Sequence, residues 1–523
     1  MYLNIKNKIE IILYKFFKLI LVAVFKRNGD VLPIYLLKKL DKNLIDNFAR
    51  DINAINIPVI FVTGTNGKTT TANLIASGLN KAGMKVCSNI NGANMTNGIF
   101  GSIIERYSFN GKFNADIMVI ETDEKVFPYI ISKINPDLVV ITNFYRDQLD
   151  RYGEVNTTML SIKKSIQSLK TYPVLILPSN EPLASFVGFN TKNKKFYFNV
   201  KSEKKEFNND YNNNNNDNNN GKSNNDKLNT LNALGSDLDD HNLCKREKEN
   251  SNIALTDAIS CPQCGNILSA YFNVHYTMIN YCCNYCGYKN AAADVEAESS
   301  GDDYITFNFK NMEEFNSKVK SKGFYFKPSI QGYYNILNYM AAFLVLKFYC
   351  IDDEIIKKTF ENYSTKFGRS FKKIVQGIEC SIDLVKNPSG FNNVLEKIFE
   401  KDDCINALFA FSDRDADGRD ISWIWDVNFE KYINKFNNIA ITGLRPYDMA
   451  IRLKTAGIDI KKIKVNHNVK KAFNGIINDR YNYGNAVDGS YNCCNYSNNK
   501  KKLNKLYIFS TYTELSNLEK IIV

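Results

Sequence analysis

Residues 57–74 read IPVIFVTGTNGKTTTANL, and this stretch decides the fold. A short apolar run ends at Gly64, which is the pattern of a strand buried on both faces of a parallel sheet. Leu74, Ile75 and Leu79 then recur at helical spacing, so a strand is expected over 57–64 and a helix over 68–82. Between them lie Gly64, Thr65, Asn66, Gly67, Lys68, Thr69 and Thr70. Two glycines let the backbone curl until its N–H groups face an anion. The helix N-terminus adds positive potential, Lys68 a full charge, and Thr69 a hydroxyl for Mg2+. The loop is shorter than the general G-x4-G-K-[ST] form, because Val62 stands where that form has its first glycine. It reads as a phosphate loop for ATP.

Outward from it, 116–121 (DIMVIE), 138–143 (LVVITN) and 173–178 (PVLILP) are further strand candidates, with helical stretches between. Such alternation implies a doubly wound α/β sheet. Glu121 ends its strand, and the C-terminal edge of such a sheet is where ligands bind. Glu121 is therefore the expected second Mg2+ ligand beside Thr69, with Asp123 and Glu124 as alternatives. After Gly368 the rhythm resumes at 382–386, 407–412, 438–443, 462–465 and 506–510, the pattern of a smaller Rossmann-like domain. The expected division is a helical segment over 1–50, a central ATP-binding domain over 51–365 and a C-terminal domain over 366–523. Asn-rich stretches over 200–250 and 477–505 have too few apolar residues to bury a core and read as insertions.

Cys261, Cys264, Cys283 and Cys286 form two C-x2-C knuckles, each followed by glycine. Four thiolates at this spacing make a closed tetrahedral zinc site, structural and not catalytic, so a zinc ribbon is expected over 255–295. Cys282 adjoins Cys283 and is an alternative ligand. The twelve cysteines do not otherwise read as a disulfide framework, which suits a reducing, cytoplasmic compartment. A net charge of +12 suits a phosphorylated or anionic partner, or solubility alone. No basic stripe interleaved with aromatics runs along one element, so a nucleic-acid partner is not expected. Residues 9–25 are apolar but carry Lys15 and Lys18, and are too short and too charged for a membrane span. The segment reads as a helix packed on the first domain, with peripheral contact at the inner membrane face as the alternative.

A short G-x-x-G-K-[ST] loop preceded by Thr is shared by Mur ligases and folylpolyglutamate synthases. Other segments narrow the resemblance: Gly92-Ala93-Asn94-Met95, TNFYRDQLDRYGE (142–154), the helix with Asn335, Asn338, Ala341 and Ala342, then Gly368-Arg369, KNPSG (386–390) and DGRDISWIWD (417–426). In order and wording they resemble the MurT family, the synthetase subunits of lipid II isoglutaminyl synthase. That resemblance implies a carbon–nitrogen ligase of peptidoglycan synthesis. ATP would phosphorylate the α-carboxyl of D-glutamate in the lipid II stem peptide, and ammonia from a separate GatD-like glutaminase subunit would displace the phosphate. It further implies that Lys68 and Glu121 serve catalysis, that Asn338 contacts adenine and Arg369 ATP, and that Asp420 is lent to the glutaminase. Gln148 stands where Mur ligases carry a His that binds a second Mg2+, and an amide oxygen is a weaker ligand. The chain has only His241, His275 and His467, and no nucleophile motif surrounds a cysteine, which agrees with ammonia made elsewhere. The competing readings are a Mur-type ligase that adds an amino acid and a zinc-ribbon NTPase acting on nucleic acid.

Overall fold

The computed structural model describes residues 5–25, 31–89, 93–145, 155–201, 260–275, 278–300, 304–309, 323–330, 332–364, 370–414, 417–478 and 505–522. Gln148, Arg369 and nearly all of the two Asn-rich stretches lie outside these residues.

Three helices come first: α1 (Ile5–Phe25), α2 (Leu32–Leu40) and α3 (Leu44–Ile55). Then strands and helices alternate through β1 (Val59–Thr63), α4 (Lys68–Lys81), β2 (Val86–Ser88), α5 (Thr96–Glu105), β3 (Ile117–Glu121), α6 (Phe127–Ile131), β4 (Leu138–Ile141), α7 (Val155–Gln167), β5 (Val174–Pro178), α8 (Pro182–Gly188) and β6 (Lys195–Val200). The hairpin β7 (Ser269–His275) and β8 (Met278–Cys282) belongs to the cysteine module. Strands β9 (Val295–Ser300), β10 (Tyr304–Phe309) and β11 (Gly323–Phe326) return to the first sheet, and α9 (Tyr333–Phe348) and α10 (Asp353–Glu361) follow.

The first sheet runs β11-β10-β9-β6-β5-β4-β1-β3-β2, parallel from β9 to β2 and antiparallel only at the β9-β10-β11 edge. β4, β1 and β3 are neighbouring interior strands and are wholly buried, as their unbroken apolar runs require. Helices α1–α3, α5 and α7 share one apolar core with one sheet face, and α4, α9 and α10 share another with the opposite face. Gly78 lets α4 and α9 approach closely: a Cβ there would stand 2.7 Å from the Leu346 methyls.

The second sheet is built from β12 (Ser370–Val375), β13 (Ile378–Leu384), β14 (Ile405–Phe411), β15 (Phe436–Gly443), β16 (Ile463–Val465) and β17 (Lys505–Ser510). Its order is β12-β13-β17-β14-β15-β16, parallel except for the β12–β13 hairpin. Helices α11 (Pro388–Phe399), α12 (Pro446–Thr455), α13 (Val469–Asn478) and α14 (Tyr512–Ile522) cover its faces.

Each strand expected from an apolar run is present, with shifted ends. β4 stops at Ile141 because the backbone of Thr142 and Asn143 turns to grip the phosphate loop. The β9–β11 extension was not foreseen. Its residues alternate polar and apolar (YITFNF in β10) because only one face is covered, and it follows the cysteine module that interrupts the rhythm.

Candidate functional site

The phosphate loop sits at the C-terminal end of β1, and its shape rests on its two glycines. Gly64 has φ of 120° and Gly67 of 84°, the region that side chains disfavour. A Cβ on Gly64 would strike Thr142 Oγ1, and one on Gly67 would strike Asn338 Oδ1. Neighbouring loops hold the turn. The Asn66 N–H donates to Asn143 Oδ1 at 2.8 Å, and Asn143 Nδ2 returns a bond to Asn66 O at 3.0 Å. The Thr65 N–H donates to Asn143 O at 2.9 Å, and Thr65 Oγ1 bridges the Tyr145 backbone. From the second sheet's α11, Asn387 caps its helix by accepting from the Gly390 N–H at 2.8 Å, and its Nδ2 donates to Asn66 Oδ1 at 3.1 Å. The KNPSG segment thus meets the phosphate loop directly, and Ser389 meets Tyr334 of α9 at 2.6 Å.

Lys68 opens α4 and is nearly fully buried. Its ammonium donates to the carbonyls of Gly64 and Thr65 and to Glu124 Oε2, the last at 2.9 Å. Burial works against that charge, but Glu124, Asp123 and Glu121 together raise the Lys68 pKa. Glu124 is pushed up by its own burial, opposed by Lys68. Thr69 Oγ1 donates to Glu121 Oε1 at 3.0 Å, and Asn94 Nδ2 reaches the same oxygen at 3.2 Å. Asn89 fixes the Glu121 backbone in both directions, accepting from its N–H at 2.9 Å and donating to its carbonyl at 2.8 Å. A hydroxyl and a carboxylate so joined are an oxygen donor set suited to Mg2+.

The structure therefore brings together Gly64, Thr65, Asn66, Gly67, Lys68, Thr69 and Glu121. It divides the acidic cluster: Glu121 meets Thr69, and Glu124 meets Lys68. Asn338 lies behind the loop, accepting from Thr71 Oγ1 at 3.2 Å and donating to Asn335 Oδ1 at 3.2 Å. Arg369 falls outside the described residues. Nothing in the local sequence marks Glu124 as the lysine's partner, or Asn66, Asn143 and Asn387 as the clasp on the loop.

The four thiols of Cys261, Cys264, Cys283 and Cys286 lie within 4.8 Å of one another. A tetrahedral Zn–S4 site, with Zn–S of about 2.3 Å, sets its sulfurs about 3.8 Å apart, so the group fits zinc. Gly265 and Gly287 take φ of 78° and 74° to close the knuckles. Asn266 draws the Cys264 thiol down to about 6, whereas burial pushes Cys261 up to about 12. Cys282 is not in the group. The module is fastened to the end of β5: Tyr288 Oη donates to Pro182 O at 2.6 Å and Asn290 Nδ2 to Ser179 O at 2.9 Å.

Asp420 belongs to the loop after β14. It is partly exposed and accepts from the Ser422 N–H at 2.7 Å, opening the 3-10 turn Ser422–Asp426. The two tryptophans part company there. Trp423 packs on Phe391 and Phe411, while Trp425 is 48% exposed. Arg452 of α12 ties this turn down, donating to Ile424 O at 3.1 Å and pairing with Glu430 at 2.8 Å.

Comparison with known proteins agrees with this architecture. The Mur ligase middle domain matches residues 62–237, and the MurT ligase C-terminal family matches residues 384–515. The chain is 30% identical over 461 residues to the lipid II isoglutaminyl synthase (glutamine-hydrolyzing) subunit MurT of Staphylococcus aureus (strain COL), covering 86% of this chain and 88% of that protein. The subunit of the same name from Streptococcus pneumoniae (strain ATCC BAA-255 / R6) is 29% identical over 459 residues, covering 86% and 87%. Among solved structures, a pseudomurein peptide ligase type C from Methanothermus fervidus shares the fold, with a TM-score of 0.57 at 16% identity, over 89% of this chain and 78% of that one. Relatedness that spans both matched regions and nearly the whole chain means that this protein belongs to the MurT family of Mur ligases.

Proposed function

We propose that the chain amidates the α-carboxyl of D-glutamate in the stem peptide of lipid II, giving D-isoglutamine at the expense of ATP. The observation that carries this reading is the phosphate loop with Lys68, Thr69 and Glu121 gathered at its mouth, in a chain related along most of its length to subunits named for that synthase. Backbone N–H groups of the loop and Lys68 would cradle the β- and γ-phosphates. Thr69 and Glu121 would hold Mg2+, which when bound neutralises phosphate charge. A carboxylate oxygen of the substrate attacks the γ-phosphorus, the bond to the β,γ-bridging oxygen breaks, and ADP leaves. Ammonia then attacks the acyl carbon, phosphate departs with the former carboxylate oxygen, and the nitrogen loses one proton.

Ammonia would come from a separate GatD-like glutaminase, since the chain's three histidines and scattered cysteines offer no glutaminase of its own. Asp420 would orient that subunit's histidine base. Its partial exposure beside the exposed Trp425, on a turn tied down by Arg452, suits a residue shared across an interface. The four-thiol module would be a structural zinc ribbon closed around its metal.

The test supplies purified chain with MgATP and lipid II, and varies the nucleophile. Ammonium alone should yield the amide, by mass of the stem peptide, and glutamine should serve only with the glutaminase present. Asp420→Asn should lower the glutamine-dependent rate at least ~100-fold and leave the ammonium-dependent rate unchanged. ADP release that requires an amino acid as nucleophile would instead identify an amino-acid-adding ligase.

A further inference from the structure

Helix α1 is half buried and half bare. Ile11 and Tyr14 pack into the first core, whereas Ile5, Ile9, Ile12, Phe16 and Leu19 are between 48% and 75% exposed. Their spacing of three and four residues aligns them in one stripe along the helix. Five large apolar side chains in register are not the scattered exposure that ordinary surfaces carry. Among the described residues, no helix is long and apolar enough to cross a membrane.

The charges beside the stripe define its occupant. Helix α1 carries Lys6, Lys8, Lys15 and Lys18 against one acid, the buried Glu10, and Lys6 and Lys18 also pair with Asp41 and Glu105. At 100° per residue, Lys8 and Lys15 flank the stripe on one side and Lys6 on the other. The Lys15 ammonium lies 5.1 Å over the ring of Phe109, itself 65% exposed, so a further aromatic borders the basic edge. An apolar stripe with basic flanks is the signature of a helix lying in the plane of an anionic bilayer.

Its position fits the same occupant. α1 packs on α5, and the segment leading into α5 puts Asn94 on Glu121. Helix α1 thus belongs to the same layer as α5, whose leading segment touches Glu121 of the site. We propose that α1 docks the protein on an anionic membrane surface through this stripe, bringing the site to a lipid-linked substrate. The placement of the substrate rests on the function proposed above; the docking itself does not.

The full chain is sedimented with vesicles of phosphatidylglycerol and phosphatidylcholine, and with phosphatidylcholine alone. Ile9→Glu and Phe16→Glu, singly and together, are compared after their circular dichroism and melting temperatures are checked against the parent. The expected result is salt-sensitive binding to the anionic vesicles, weakened about tenfold or more by the double variant, which folds normally. A parent chain that stays in the supernatant with anionic vesicles at low salt overturns the proposal. So does a dimer in light scattering that the same variants dissociate, since the stripe is then covered by a second copy. Vesicle binding is read without turnover, so a chain that binds vesicles but amidates neither lipid II nor a water-soluble stem peptide fails the functional reading and not this one.

Discussion

Lys68 keeps a positive charge where water is nearly excluded, and Glu124 is what allows it. Breaking a buried pair by removing one partner leaves a bare charge, a loss of about 3–5 kcal/mol. Glu124→Gln is therefore expected to lower the melting temperature of the nucleotide-free protein. MgATP, whose phosphates would give Lys68 a new partner in the proposed site, should then raise it by more than in the parent chain. Equal MgATP shifts in both proteins would contradict this role. Lys68, Thr69 and Glu121 were legible in the sequence because loop spacing and a strand end fix where they point. Glu124 was not, because three acids within four residues look alike until the turn after β3 sends one to Thr69 and another to Lys68. The clasp on Asn66 was hidden for a different reason: its partners lie 77 and 321 residues away.

Among the elements, the parallel strands were readable because burial on both faces leaves continuous apolar runs. The β9–β11 edge, covered on one face, alternates instead and gave no such run. The cysteine knuckles were readable by spacing, but their seat on the end of β5 was not. Chelation of the proposed zinc, or Cys283→Ser, is expected to release one equivalent of zinc by atomic emission and to raise hydrogen exchange in residues 260–290 and in the β5–α8 junction. Exchange unchanged at that junction would show the module to be a passive appendage. The sequence called α1 a packed helix, and the structure gives it a packed face and a bare one. Glu10, on the packed face, meets Asp41, which Lys6 holds at 2.7 Å. Burial, then the hydrogen bond and charge of Asp41, push Glu10 up to about 7, with Asp51 adding slightly and Lys6 opposing. A free glutamate titrates near 4.3. The packed helix thus holds a proton that the detached one releases, and its docking is strongest in acid and declines as pH rises through about 7. Limited proteolysis within residues 5–25 should accelerate between pH 6 and pH 8 by about the same scale as the proton is lost, and Glu10→Gln should make it flat. A parent chain with no pH dependence over that range would count against it.

Across the whole molecule, the phosphate loop is completed from both sheets. The first supplies Lys68, Thr69 and Glu121, and the second reaches over with Asn387, while Ser389 beside it meets Tyr334 of α9. The two sheets were foreseen from their alternating rhythm, but their meeting at Asn66 was not, because rhythm says nothing of how two sheets face each other. In the proposed reaction, that meeting would give the nucleotide and the acceptor carboxylate a shared floor. In the proposed reaction ATP activates a carboxylate and does not merely drive a motion, and the step can be followed by labelling both oxygens of the D-glutamate α-carboxyl with 18O and analysing the phosphate released. One 18O atom should appear in phosphate for each amide formed, with ammonium as donor and no glutaminase present. Amide formation with unlabelled phosphate would rule that activation out.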